Sequence, residues 1–399
     1  MGTLDGIRGI DDLRLDNQRV FIRVDFNVPL GESGPVVNDA RIRASLPTIQ
    51  KAIAAGARVI LGSDFGPEGK PSSAVSLEPA AARLSELLHQ DVFLPDDCIG
   101  DAARKLVSEL RPGQLVMLEN LRFHEGEAQN EDAFARDLAA LCDVFVNDAF
   151  SCAHRAHASL VALPRLLRDK GMGYGLRDEV SALTRISESP QKPCVAILGG
   201  SQVSRQIQLI TALLKKCDVI CVGGAMANTF LAAAGNGLAD SKLEHDQLPL
   251  ARTLIEQARD RGVKFLLPTD VVVAPEADAS EGEVVNVRSI PDRHLALDIG
   301  PASVSALATQ IAKAKTVFWH GSLGFFENPA FARGTLGVLQ ALADTPAFTV
   351  VSGGDSVAAL AAAGPGILEK IGFVSTSGDA ALELIEGLKL PGIEALRGN

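Results

Sequence analysis

The residues in this sequence that could do chemistry fall into two sets. In the first half, Asp25 and Asn27 close a β-branched run, and Arg41 follows near the start of a helical segment. Leu121-Arg-Phe-His124 and Ala153-His-Arg-Ala-His157 then place Arg122 and Arg155 just beyond two further runs. A guanidinium offers a planar fork of donors to carboxylate and phosphate oxygens, so arginines at such positions point to a phosphorylated acid. The second half is rich in glycine instead: Gly199-Gly200, Gly223-Gly224, Gly321 with Gly324, Ser352-Gly-Gly-Asp-Ser356, and Gly378. Glycines let backbone N–H groups approach a phosphate, and a helix that starts there favours negative charge. Asp355 in that loop suits either a Mg2+ ligand or a helix cap. No G-x-x-x-x-G-K-[ST] occurs, and no G-x-G-x-x-G with a ribose-binding acid about 20 residues on, which disfavours a P-loop and a nicotinamide dehydrogenase. His157 reads as a buried hydrogen-bonding residue.

Strands must hold these groups. Short apolar runs ending in Gly, Asp, Asn or Ser are expected at 19–26, 58–63, 115–120 and 144–148, then at 194–200, 219–224, 265–270, 317–321, 349–353 and 373–377. Ala/Leu-rich segments of helical spacing separate them. Continuously apolar strands alternating with helices predict parallel sheets covered on both faces, the doubly wound α/β architecture. Ligands of such sheets bind outside the carboxyl ends of the strands, where the polar residues above lie. Arg177–Ser189 is expected to form a helix between the halves.

Composition excludes several classes. The 399 residues are 47% hydrophobic and 22% charged, which predicts two large domains and no dominant disorder. A net charge of −11 argues against a nucleic-acid binder, and 5% aromatics argue against base-stacking platforms. The N-terminus lacks the apolar core of a signal peptide, and no run reaches the ~18 apolar residues of a membrane span, so a cytoplasmic protein is expected. The six cysteines read as buried free thiols; Cys217 and Cys221 are the one close pair and have no metal-ligand company.

Longer motifs carry a resemblance. Val24-Asp-Phe-Asn-Val-Pro29, Asn38-Asp-Ala-Arg-Ile42, Leu118-Glu-Asn-Leu-Arg-Phe-His124, Val146-Asn-Asp-Ala-Phe150 and Ala153-His-Arg-Ala-His-Ala-Ser159 occur in the first half. Leu198-Gly-Gly200, Gly223-Gly-Ala-Met-Ala227, Leu297-Asp-Ile-Gly-Pro301, Gly353-Gly-Asp-Ser356 and Leu390-Pro-Gly392 follow in the second. In this order, and from end to end, the chain resembles phosphoglycerate kinase. The resemblance implies two Rossmann-like lobes joined by a hinge helix: an acid-binding lobe over 1–176, the helix at 177–189, and a nucleotide-binding lobe over 190–383. A tail, 384–399, would return to the first lobe. It implies that Asp25, Asn27, Arg41, Arg122 and Arg155 hold 3-phosphoglycerate, with Arg41 nearest the accepting carboxyl. Gly199, Gly200, Gly223, Gly224, Glu327, Gly353, Gly354, Asp355 and Ser356 would surround ATP or ADP, with Asp355 toward Mg2+. Arg41, Gly354 and Gly378 would serve the transfer itself, in a monomer acting on small molecules.

The departures from the family pattern fall on charge. Ser63-Asp-Phe-Gly-Pro-Glu68 puts Asp64 where the family has histidine and Pro67 where it has arginine. Gly199-Gly-Ser-Gln-Val-Ser-Arg-Gln206 puts Gln202 and Gln206 at two lysine positions and Arg205 at an aspartate. Trp319-His-Gly-Ser322 and Ser375-Thr-Ser-Gly-Asp379 also depart from it. Phosphoryl transfer is largely positioning and charge stabilisation, so impaired turnover or an altered acid is expected unless Arg205 or Lys70 supplies the missing charge. Asp64 beside the substrate would suit a less anionic acid. A silent nucleotide- or phosphosugar-binding protein, or a regulatory partner of the true kinase, is the alternative.

Overall fold

A computed structural model describes residues 2–31, 34–66 and 75–398. The chain forms two compact units: one runs to Ser181 and is rejoined from Lys389 onward, and the other spans Ala182–Leu388. The division falls inside the helix Tyr174–Ser187.

The first unit holds a sheet of β1 (Arg19–Arg23), β2 (Arg58–Gly62), β3 (Val92–Phe93), β4 (Leu115–Met117), β5 (Val144–Asn147) and β6 (Asp169–Met172). The strands lie in the order β3-β4-β2-β1-β5-β6, all parallel. The order reverses between β1 and β5, and a crevice opens beyond the carboxyl ends of strands at such a reversal. Alternate residues Val20, Ile22 and Val24 pack with Ile42, Ile49, Val59 and Leu61 into a core on one face of the sheet. The returning segment docks on the same unit: the Asn147 side chain donates to the Gly392 carbonyl at 3.1 Å, Gly392 N–H to Ala153 at 2.8 Å, and Arg397 to Thr3 at 2.8 Å.

The second unit repeats the plan. Strands β7 (Cys194–Leu198), β8 (Val219–Val222), β9 (Lys264–Leu266), β13 (Thr316–His320), β14 (Phe348–Ser352) and β15 (Phe373–Ser375) form a parallel sheet in the order β15-β14-β13-β7-β8-β9. Its reversal lies between β7 and β13. A separate antiparallel sheet of β10 (Asp270–Ala274), β11 (Glu283–Asn286) and β12 (Leu295–Ile299) was not expected. The run read as one strand over 265–270 is split, because Pro268 has no N–H for a sheet ladder; its two ends belong to β9 and β10 in different sheets. Cys194 and Cys217, 23 residues apart in sequence, lie 3.1 Å from each other, sulfur to sulfur. All six thiols are free and buried. Among the described residues no helix is long and apolar enough to cross a membrane.

Two buried carboxyls, one per unit, sit beneath glycines that permit close approach. Asp298 accepts from Gly334 N–H at 2.7 Å, and a Cβ on Gly324 would stand 2.1 Å from its Oδ1. Asp148 lies under Gly173, where a Cβ would stand 2.3 Å away. Burial pushes both carboxyls up to about 7. Their unfolded counterparts ionise near the ordinary value of about 4, so each carboxyl favours the fold at low pH and loses that contribution as pH rises from about 4 to 7. Carbon-13 NMR of labelled aspartates is expected to show two carboxyls titrating near neutrality, both absent after Asp148→Asn with Asp298→Asn; midpoints near 4 would refute the burial argument.

Candidate active site

In the first unit the groups beyond β1, β2, β4 and β5 converge on one buried carboxylate. Asp64 follows β2 and is 1% exposed. It pairs with Arg23, at the end of β1, and with Arg122; Arg155 Nη1 lies 4.0 Å away. Arg23 is itself fully buried and donates through Nε to Ser159 Oγ at 2.9 Å. Ser159 in turn donates its hydroxyl and its N–H to Glu127 at 2.6 and 2.9 Å. Against the cost of burial, the Arg23 and Arg122 guanidinium groups hold Asp64 well below the usual carboxylate range. Burial pushes Glu127 up and His157 down to about 4, so the imidazole is neutral at pH 7. Three guanidinium groups therefore face a single strongly ionised carboxylate, and the cluster carries excess positive charge.

Exposure separates support from contact. Arg23 and Asp64 keep 0% and 1% of their side chains in solvent, whereas Arg122, Arg155 and Arg41 keep 10%, 28% and 35%. The buried pair is the base, and the other arginines are the groups an anion can reach. Arg41 pairs with Asp25 at 3.0 Å and donates to the Asn27 carbonyl at 2.8 Å. Asp25 also accepts from Ser151 and from Asn27 N–H, and Asn27 Oδ1 accepts from Gly66 N–H at 3.2 Å. Asn27 and Arg122 both donate to the Gly66 carbonyl, which joins Asp25, Asn27 and Arg41 to the group of Arg122, Asp64 and Arg155. Asn120 accepts from the backbone N–H groups of Phe65 and Arg122, and Glu119 accepts from that of Leu77; both brace the loops.

Asp64 is the main correction in this unit. Expected to line a pocket for a less anionic acid, it lies under the arginines as their counter-charge, because a fully buried guanidinium with two partly buried ones beside it needs one. Arg23 was missed altogether; a second arginine closing the run Arg19–Arg23, amid apolar residues on both sides, was its signal. Pro67 and Lys70 lie outside the described residues.

In the second unit the loops after β7 and β13 cross at the sheet reversal. Gly199 N–H donates to His320 and Gly200 N–H to Ser322, each at 2.8 Å. A Cβ on Gly199 would stand 2.1 Å from the Ser322 carbonyl, so this crossing requires glycine. Gly223 N–H donates to Leu198, and Gly224 N–H to Leu323 at 2.9 Å. Gly353, with φ of +95°, packs against the His320 ring and precedes the helix Gly354–Ala363. The cap is Gly353, so the capping alternative for Asp355 fails; its carboxylate stands exposed in the first turn. Ser356 is buried and accepts from Gly321 N–H at 2.7 Å, which makes it a brace. Gly378 opens the helix Gly378–Glu386, and Glu327 is exposed beyond β13. Exposed Asp355 and the tight glycine cradle fit a nucleotide polyphosphate with its cation.

Gln206 is 8% exposed and donates through Nε2 to the Gly199 carbonyl at 2.8 Å. Gln202 is half-buried on the same loop and Arg205 is exposed. His320, which sequence reasoning passed over, has its Nδ1 buried without a hydrogen-bond partner, and burial lowers the imidazole so that it is neutral.

Two doubly wound units, one with an arginine cradle and one with a glycine-lined strand end, define a two-lobed α/β protein of the kinase type. A family model described as phosphoglycerate kinase matches residues 10–388. The chain is 53% identical over 396 residues to "Phosphoglycerate kinase" of Anaeromyxobacter sp. (strain Fw109-5), covering 98% of this chain and 100% of the relative. It is 45% identical to "Phosphoglycerate kinase" of Geotalea uraniireducens (strain Rf4), with 98% and 99% covered. Among solved structures, phosphoglycerate kinase from Coxiella burnetii matches with a TM-score of 0.89 at 39% identity, covering 98% of each chain. That from Pyrococcus horikoshii OT3 matches with 0.84 at 32%, covering 97% of this chain and 98% of the other. The chain belongs to the phosphoglycerate kinase family.

Asp64→Ala should lower stability by about 3–5 kcal/mol in denaturant unfolding, because it strands buried guanidinium groups. Added sulfate should recover a larger share of the loss than it adds to the unsubstituted protein. Equal stability of the two proteins would show that Asp64 is not the counter-charge.

Proposed function

We propose that the chain moves a phosphoryl group between ATP or ADP and the carboxylate of a phosphorylated acid, 3-phosphoglycerate by family membership. The observation that carries this reading is the shared cluster of Arg41, Arg122 and Arg155 over the buried Arg23–Asp64 base. Arg122 and Arg155 would grip the phosphate of the acid, and Arg41, steered by Asp25, would hold its carboxylate. A carboxylate oxygen attacks the γ-phosphorus, an O–P bond forms, and the bond to the β–γ bridging oxygen breaks, leaving an acyl phosphate and ADP. Backbone N–H groups at Gly353-Gly354, where a helix opens, would approach the nucleotide phosphates, while Gly199, Gly200, Gly223 and Gly224, whose N–H groups are bonded within the unit, would admit the nucleotide by lacking side chains, with Glu327 beside it. Gly354 and Gly378, each opening a helix, would face the transferred group. Asp355 would hold Mg2+, which supplies charge neutralisation on the phosphate oxygens. The protein would act as a cytoplasmic monomer. Relatives that carry the kinase's name lend no support to the silent binder or the regulatory partner.

One observation favours turnover below that of lysine-bearing relatives. Gln206 is neutral and its amide is already committed to the Gly199 carbonyl, so it brings no charge to the migrating group. A coupled assay with Mg-ATP and 3-phosphoglycerate tests the proposal directly, and no phosphate-accepting activity with this acid would remove it. Gln202→Lys with Gln206→Lys is expected to raise kcat by about tenfold or more, a conservative fraction of what one charge donor supplies. An unchanged kcat would assign the charge to another group.

A further inference from the structure

Among the described residues outside the arginine cluster, one group of metal-ligating side chains converges in the first unit. Asp97 and Cys98 lie between β3 and the helix Gly100–Glu109, and His124 follows the loop that carries Arg122. One ligand atom from each lies within 4.8 Å of the other two. Sequence reading left Cys98 among the inert buried thiols, because its partner His124 is 26 residues away along the chain.

We propose that Asp97, Cys98 and His124 form a binding site for a thiolate-seeking divalent cation of the Zn2+ class. The site offers one sulfur, one imidazole nitrogen and one carboxylate oxygen, a donor set that selects such ions over Mg2+ or Ca2+. His124 Nε2 already points at Asp97 Oδ1, 2.7 Å away, and its ring is fixed by stacking on Phe134 with centroids 5.3 Å apart. Tetrahedral zinc with bonds of about 2.0–2.3 Å separates such donors by about 3.3–3.8 Å. The carboxylate and imidazole must therefore part by well under an ångström, and the sulfur, within 4.8 Å of both, must draw in by up to about 1–1.5 Å.

Access and charge are consistent with this. The Asp97 and His124 side chains are 44% and 30% exposed, whereas Cys98 is buried. An ion would enter from solvent, meet the carboxylate and imidazole first, and keep water at its fourth position. On binding, the Cys98 S–H bond breaks, a metal–sulfur bond forms, and the proton passes to solvent. Thiolate and carboxylate then balance the charge of the dication, so the loaded site is neutral.

The inference does not depend on the kinase reading and is tested on the whole, chelator-treated protein. Titration with Co2+ is expected to give one equivalent of binding with a thiolate-to-cobalt charge-transfer band, displaced by Zn2+ and unaffected by excess Mg2+. Cys98→Ser should abolish the band with circular dichroism unchanged. His124→Gln and Asp97→Asn, both at the surface, should each weaken binding by about tenfold or more and decide the matter if Cys98→Ser fails to fold. Absence of the band in the unsubstituted protein would overturn the proposal, as would a band that survives Cys98→Ser or affinities unmoved by His124→Gln and Asp97→Asn.

Discussion

The charge balance around Asp64 is the constraint on which the first unit's chemistry depends. Arginines can converge at the ends of adjacent strands only if something offsets their mutual repulsion in a medium that screens poorly. Asp64, nearly out of water and braced by the buried Arg23, does this from beneath and leaves the outer guanidinium groups partly exposed. The arrangement sets the charge an incoming anion meets: enough to attract, not enough to force the loops apart. Glu127 and Ser159 extend the same support by holding Arg23 from its other side.

The second unit solves a different problem with backbone rather than charge. At the reversal between β7 and β13 the two loops pass so close that a single methyl group on Gly199 would collide with the Ser322 carbonyl. Both loops satisfy their own hydrogen bonds across the crossing, so the cradle is rigid before any ligand arrives. Gln206 belongs to that internal bracing through the bond from its Nε2 to the Gly199 carbonyl, while its buried Oε1 has no hydrogen-bond partner.

Much of this was legible in the sequence because continuous apolar runs bounded by glycine or acid can hardly be anything but buried parallel strands. Arg19–Arg23, Cys194–Leu198 and Thr316–His320 are of this kind, and the polar residues after them had to lie at the carboxyl ends. The antiparallel sheet of β10–β12 was hidden because it depends on pairing between residues up to about 30 positions apart, and β11 is mostly exposed and carries no apolar period. Asp64 could be placed near the arginines but not beneath them, since depth is a property of packing and not of spacing. Arg23 escaped notice for a similar reason: its role appears only when Asp64 and Ser159, remote in sequence, surround it.

The docking of Gly392 on Asn147 and Ala153, and of Arg397 on Thr3, carries a consequence for biosynthesis. When Met1–Ser181 has emerged from a ribosome, its unit still lacks a piece that is translated only after the second unit. At about 5–20 residues per second, the intervening stretch takes tens of seconds at the slower rates to be made. Through that interval the early unit must persist with its binding surface for the tail uncovered, while the later one can assemble from contiguous chain. Maturation of the arginine cradle's unit therefore waits until the whole of the second unit has been synthesised.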